Sequence, residues 1–109
     1  MRLFLYGTLL DPAVWARRAG TLGRTTPATL SGWRRVCLRA SPYPTLRRGG
    51  SVAGQVRDVS AATLRRLVAY EGPRYRLTRV VVATPRGNTA AWTWIAAAAT
   101  RRPWEERRR

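Results

Sequence analysis

Between Ser60 and Pro73 lies the stretch that most limits what this chain can become: a helix with short strand-like segments on either side of it. Ser60 is a good N-cap, because its hydroxyl can accept from an amide that the first helical turn leaves without a partner. Leu64, Leu67 and Val68 then recur at helical spacing and predict one apolar face, and Gly72-Pro73 stops the run. A shorter helix is predicted from Asp11-Pro12 to about Ala19, with Asp as the cap and Gly20 as the stop.

The remaining segments read as strands. Leu3-Phe4-Leu5-Tyr6 is an apolar run that stops at Gly7, as a central strand ending in a tight turn would. Residues Ala28 to Leu38 predict a strand interrupted near Gly32, where a bulge is expected. Ser41-Pro42-Tyr43-Pro44 predicts a rigid loop, and Gly49-Gly50 the turn of a hairpin whose second arm runs from Ser51 to Val59. Tyr75 to Ala83 and Ala90 to Ala97 predict an antiparallel pair joined through Pro85-Arg86-Gly87-Asn88. A chain of 109 residues with 45% apolar content has room for one core and not for two. One domain is therefore expected over residues 1–100, with a frayed basic tail at 101–109.

Several chemistries are excluded by composition. Without histidine there is no Ser-His-Asp triad, no Cys-His pair and no histidine metal site. The single cysteine, Cys37, permits no internal disulfide, fits a reducing compartment, and reads as a buried structural thiol between Val36 and Leu38. The apolar run from Leu3 to Leu10 is short for a secretory leader and is ended by Asp11-Pro12 with no small-x-small cleavage site after it. No stretch approaches the roughly 20 apolar residues of a membrane span. A cytoplasmic protein that does not enter the membrane is expected.

The 21 basic residues, all arginine, face 5 acids, an excess that raises nucleic acid or an anionic membrane as a partner. Yet the arginines are scattered in pairs such as Arg17-Arg18, Arg34-Arg35, Arg47-Arg48 and Arg65-Arg66, and no nucleic-acid module is recognisable. The absence of lysine beside abundant Ala, Gly and Pro points to GC-rich codon usage. Specific nucleic-acid recognition is not expected, whereas loose attraction to polyanions at low salt is.

Acid/base chemistry is left to carboxylates and tyrosine. Before the tail the acids are Asp11, Asp58 and Glu71. Asp11 caps a helix, and Asp58 lies near the positive end of the helix that Ser60 begins. Glu71 sits at the carboxyl end of that helix, where the dipole disfavours an anion by about 0.3–1 kcal/mol. Two readings compete for it: a catalytic carboxylate, or a surface acid paired with Arg74 or Arg76. The direction of its pKa is open at this point, since burial and dipole raise it and arginine lowers it. Tyr6-Gly7-Thr8-Leu9 likewise has two readings, a plain turn or a nest of amides that holds a carboxylate or an oxyanion. The nest reading expects Gly7 to take a positive φ.

Taken together, these segments resemble the gamma-glutamylcyclotransferase-like family from Leu3 to about Ile95. The motifs that carry the likeness are Tyr6-Gly7-Thr8-Leu9 directly after the first strand and Tyr70-Glu71-Gly72-Pro73-Arg74-Tyr75-Arg76. Tyr43-Pro44-Thr45-Leu46, Val52-Ala53-Gly54-Gln55-Val56 and Ala91-Trp92-Thr93-Trp94 support them. Family members often carry an acid three residues before the glutamate, and here that position is Val68.

The resemblance implies an α+β fold, a small mixed β-barrel with a few short helices and a cavity at its mouth. It implies that Tyr6, Gly7, Thr8 and Leu9 bind a small γ-glutamyl substrate through backbone amides, and that Glu71 is the general base. The reaction implied is cyclisation to 5-oxoproline with release of an amine, needing no metal and no cofactor. Tyr43, Tyr75, Trp92 and Trp94 are expected to pack the core, with lining the cavity as the alternative. The competing reading is a non-catalytic module whose Arg-rich surface holds an anion or a nucleic acid. Sequence leaves the oligomeric state and the identity of the amine open.

Overall fold

The computed structural model describes residues 1–20, 24–37 and 44–96, and of Cys37 the backbone alone. In chain order it forms β1 (Arg2–Leu5), a single 3-10 turn (Thr8–Leu10), α1 (Pro12–Ala19), β2 (Thr26–Cys37), β3 (Pro44–Asp58), α2 (Ala61–Glu71), β4 (Tyr75–Thr84) and β5 (Gly87–Ala96). The five strands close into a barrel in the order β1-β3-β2-β4-β5. β1 pairs antiparallel with β3 on one side and parallel with β5 on the other, where Leu3 lies opposite Trp92.

This central place explains why β1 reads as a continuous apolar run, since a strand with both faces covered has no polar positions to offer. Phe4 and Tyr6 point into the barrel and join Leu30, Leu46, Val82 and Ile95 in its core. Leu3 and Leu5 point outward, where Leu9, Trp15, Leu67 and Trp94 cover them beneath the helices. Phe4 packs on β3 at Gly54, where a β-carbon would collide with the Leu5 carbonyl oxygen and come within 2.9 Å of the Phe4 ring. A side chain at that position would therefore separate β1 from β3.

Both predicted helices form with the expected caps. The Asp11 side chain accepts from the Ala13 amide at 2.8 Å, and the Ser60 hydroxyl accepts from the Thr63 amide at 3.2 Å. Leu67 is fully buried under α2 and Leu64 partly so, but Val68 is 45% exposed and lies off the packed face. Asp58 is tied to Arg2 at 3.0 Å.

Gly49-Gly50 is a correction to the sequence reading. It is no hairpin turn but a bulge within one long strand, for β3 runs unbroken from Pro44 to Asp58 alongside β2. Ser31 faces Ser51 and Trp33 faces Arg48, so two glycines oppose the single Gly32. All three have positive φ, of 104°, 82° and 87° for Gly49, Gly50 and Gly32, which bends the pair as barrel closure requires. The β4–β5 hairpin forms as expected, with Pro85 and Arg86 at its tip between Thr84 and Gly87. Cys37 ends β2, while Tyr43 and the expected tail at 101–109 lie outside the described residues.

Candidate active site

Two elements built by very different parts of the sequence meet at one mouth of the barrel. The 3-10 turn after β1 begins with Gly7 as its cap, and its first internal bonds run from the Leu10 amide to the Gly7 carbonyl at 3.0 Å and from the Asp11 amide to the Thr8 carbonyl at 3.1 Å. The amides of Thr8 and Leu9 precede those bonds, so the turn itself does not use them. Across the mouth, α2 ends at Glu71 because Gly72, at φ 85°, reverses the backbone and donates to the Val68 carbonyl at 3.0 Å.

Between them is a cavity of about 210 Å³ lined by Tyr6, Gly7, Thr8 and Leu9 from one side and by Tyr70, Glu71 and Tyr75 from the other. Phe4, Leu5, Pro44 and Trp94 complete the wall. The volume is below the roughly 300 Å³ at which drug-sized pockets begin, and suits a small metabolite.

Glu71 occupies this cavity without a structural partner. Among the described residues Asp11 caps α1, Asp58 pairs with Arg2, and Glu71 makes neither a hydrogen bond nor an ion pair. Burial among the aromatic walls pushes its carboxyl up to about 7. The surface acid paired with Arg74 or Arg76 is thus not what the structure contains.

The cavity wall is fixed by hydrogen bonds from tyrosines. The buried Tyr6 hydroxyl donates to the Trp94 carbonyl. Burial raises its pKa far above the usual phenol range, against a smaller lowering by Thr45, while Tyr75 and Glu71 add slightly to the rise. The Arg35 guanidinium donates to the Tyr6 carbonyl at 2.9 Å, and the Tyr75 hydroxyl donates to the Pro44 carbonyl at 3.0 Å. The Tyr70 and Thr8 hydroxyls share a hydrogen bond of 2.8 Å. That bond links the turn to the residue immediately before Glu71.

Three expectations need correction or completion. Gly7 has φ −122° and ψ −141°, so its freedom at positive φ is not the reason for glycine. The reason is space, because a β-carbon there would stand 3.3 Å from Pro44 Cγ. Of the two tryptophans on β5, both pack with the outer cluster and only Trp94 also lines the cavity. Tyr70 and Pro44 were not singled out from sequence as site residues, although both lie inside the quoted motifs. No group of three metal-ligating side chains gathers among the described residues.

We expect Tyr70→Phe to keep the fold and lower kcat/KM by about tenfold, the effect of losing one hydrogen bond worth roughly 0.5–1.5 kcal/mol. Thermal unfolding beside steady-state kinetics checks this, and kinetics unchanged in a folded variant would show that the bond does not position the turn.

A closed five-stranded barrel with two helices is the gamma-glutamylcyclotransferase-like fold. A structure described as gamma-glutamyl cyclotransferase superposes with a TM-score of 0.76 at 18% identity, over 97% of this chain and 69% of that one. The chain belongs to the gamma-glutamyl cyclotransferase, AIG2-like family, whose model matches residues 3–108. Protein AIG2 C of Arabidopsis thaliana is 37% identical over 83 residues, which is 73% of this chain and 50% of that protein. A solution structure of an Arabidopsis thaliana protein matches with a TM-score of 0.78 at 32% identity, over 87% of this chain and 61% of that one. The chain thus spans about half the length of the curated relative it matches. Among the described residues no helix is long and apolar enough to cross a membrane.

Proposed function

We propose that this protein cyclises a small γ-glutamyl amine or peptide to 5-oxoproline and releases the amine, with Glu71 as the general base. The observation that carries the reading is the placement of Glu71. It is the one described acid with no structural partner, and it shares a small cavity with the Gly7 to Leu9 turn. Membership of the gamma-glutamyl cyclotransferase, AIG2-like family supports it.

In this mechanism the substrate's α-amino nitrogen, relieved of a proton by Glu71, attacks the γ-carbonyl carbon. The new C–N bond closes a five-membered ring, and the carbonyl electron pair moves onto oxygen. In this reading the amides of Thr8 and Leu9 stabilise that oxyanion or hold the substrate carboxylate. Collapse of the intermediate breaks the bond to the amine, which takes the proton back from Glu71, and the ring nitrogen gives its second proton to the vacated carboxylate to leave the lactam N–H. Nucleophile and electrophile belong to one molecule, so holding it in a folded pose supplies much of the rate. Aromatic walls partly shield the carboxyl from water, and this desolvation is also what raises its pKa.

A base must be ionised to act, so kcat/KM should rise with pH and level off above an apparent pKa near 7. The test is to assay 5-oxoproline release from a panel of γ-glutamyl amines and peptides as a function of pH. A profile with no inflection between about pH 5 and 9, or no turnover of any member, would overturn the assignment.

A further inference from the structure

The end of the barrel opposite the Glu71 cavity carries a second concavity of a different character. It is formed where β1 and β5 begin and β3 and β4 finish, and at about 640 Å³ it is larger than the 210 Å³ cavity at the other end. The linings of the two concavities differ in charge. No arginine lines the Glu71 cavity, whereas Arg2, Arg24, Arg57 and Arg86 all line the opposite groove.

The four cations come from separate parts of the chain and have different standing. Arg2 is held by Asp58 at 3.0 Å, the acid of the groove, and also donates to the Thr89 hydroxyl. Arg57 is only 7% exposed, with its guanidinium 4.2 Å from the centre of the Trp15 ring. Arg24 and Arg86 are exposed and make no ion pair among the described residues. Between them stand hydroxyl and amide groups of Thr25, Thr26 and Asn88, which can donate to oxygen. No aromatic side chain lines the groove, so it offers no platform on which a base could stack.

We propose that this groove is a binding site for a small polyphosphorylated anion, with Arg24 and Arg86 as its principal contacts. Guanidinium groups form paired hydrogen bonds with phosphate oxygens, and several arginines around one groove favour a ligand with more than one phosphate group over a monoanion. The groove lies at the other end of the strands from Glu71, so the proposal stands independently of the catalytic reading.

The experiment measures thermal stability and calorimetric binding of the full chain against pyrophosphate, inorganic phosphate and a single-stranded oligonucleotide. It compares the wild type with Arg24→Gln/Arg86→Gln and with Arg17→Gln/Arg65→Gln, an exposed helical pair that removes the same charge. Pyrophosphate should raise the Tm of the wild type and of the helical pair saturably, and inorganic phosphate should do so more weakly. The groove pair should lose at least tenfold in pyrophosphate affinity. Equal losses in both double variants, or no saturable shift, would reduce the effect to general charge screening and overturn the site. Tighter, groove-dependent binding of the oligonucleotide would overturn the small-anion reading in favour of nucleic acid. Should the groove pair fail to fold, the single Arg86→Gln, at the exposed hairpin tip, replaces it.

Discussion

Glu71→Gln is expected to fold normally and to lose about 10³-fold in kcat/KM, because the amide keeps the shape of the carboxyl but cannot accept the substrate's proton. The same variant carries a second signature. Folding raises the Glu71 pKa from the ordinary 4.5 to about 7, so the folded state binds the proton more tightly than the unfolded one. The stability gained from that proton is fully present below about pH 4.5 and is lost as pH rises toward 7. Glutamine does not titrate. The variant should therefore match the wild type in acid and exceed it at neutral pH, by on the order of 2 kcal/mol once the partial exposure of the carboxyl is allowed for. Denaturant unfolding at several pH values, run beside kinetics, reads both effects. Turnover within a few-fold of the wild type would remove Glu71 from the mechanism, and a stability difference independent of pH would show that its carboxyl is not desolvated.

Gly7→Val is expected to be the most damaging change on the other side of the cavity. A β-carbon at Gly7 already meets Pro44 Cγ at 3.3 Å, and two further methyl groups must go into the cavity or push the turn away from Glu71. A displacement of about 1 Å in a positioned site costs on the order of 10²-fold in rate. Loss of that size in kcat/KM is expected, with a modest fall in Tm. Thr8→Pro removes the amide itself and should resemble it, whereas Thr8→Ser keeps amide and hydroxyl and should be nearly silent. If folded Gly7→Val and Thr8→Pro both retain native kinetics, the turn contributes no binding.

Much of this arrangement is legible in the residues. The run Leu3 to Tyr6, the Ser60 cap and the stop at Gly72 locate β1 and α2 correctly, because apolar period and cap chemistry are local properties. The fate of Gly49-Gly50 is not local. Two glycines with positive φ serve a turn or a bulge equally, and only the pairing of Ser31 with Ser51 and Trp33 with Arg48 decides between them. The choice between Trp92 and Trp94 as the cavity residue was open for another reason. Both stand on the same face of β5, so alternation cannot separate them. Depth along the strand does, since Trp92 lies beside Leu3 in mid-barrel and Trp94 is further along toward the mouth. The isolation of Glu71 was foreshadowed by its place at a helix end. The direction of its titration needed the walls of the cavity, which no run of sequence displays.

The parallel contact between Leu3 and Trp92 sets an order of events during synthesis. Both neighbours of β1 are translated later than β1 itself, and the second of them is β5. At about 5–20 residues per second, the apolar segment Leu3 to Tyr6 waits several seconds for β3 and longer for β5. During that wait it has an open edge and no cover on either face. The barrel cannot seal until Trp92 has left the ribosome, so a nascent chain halted before β5 holds a bare strand, the form in which pairing with another chain is easiest.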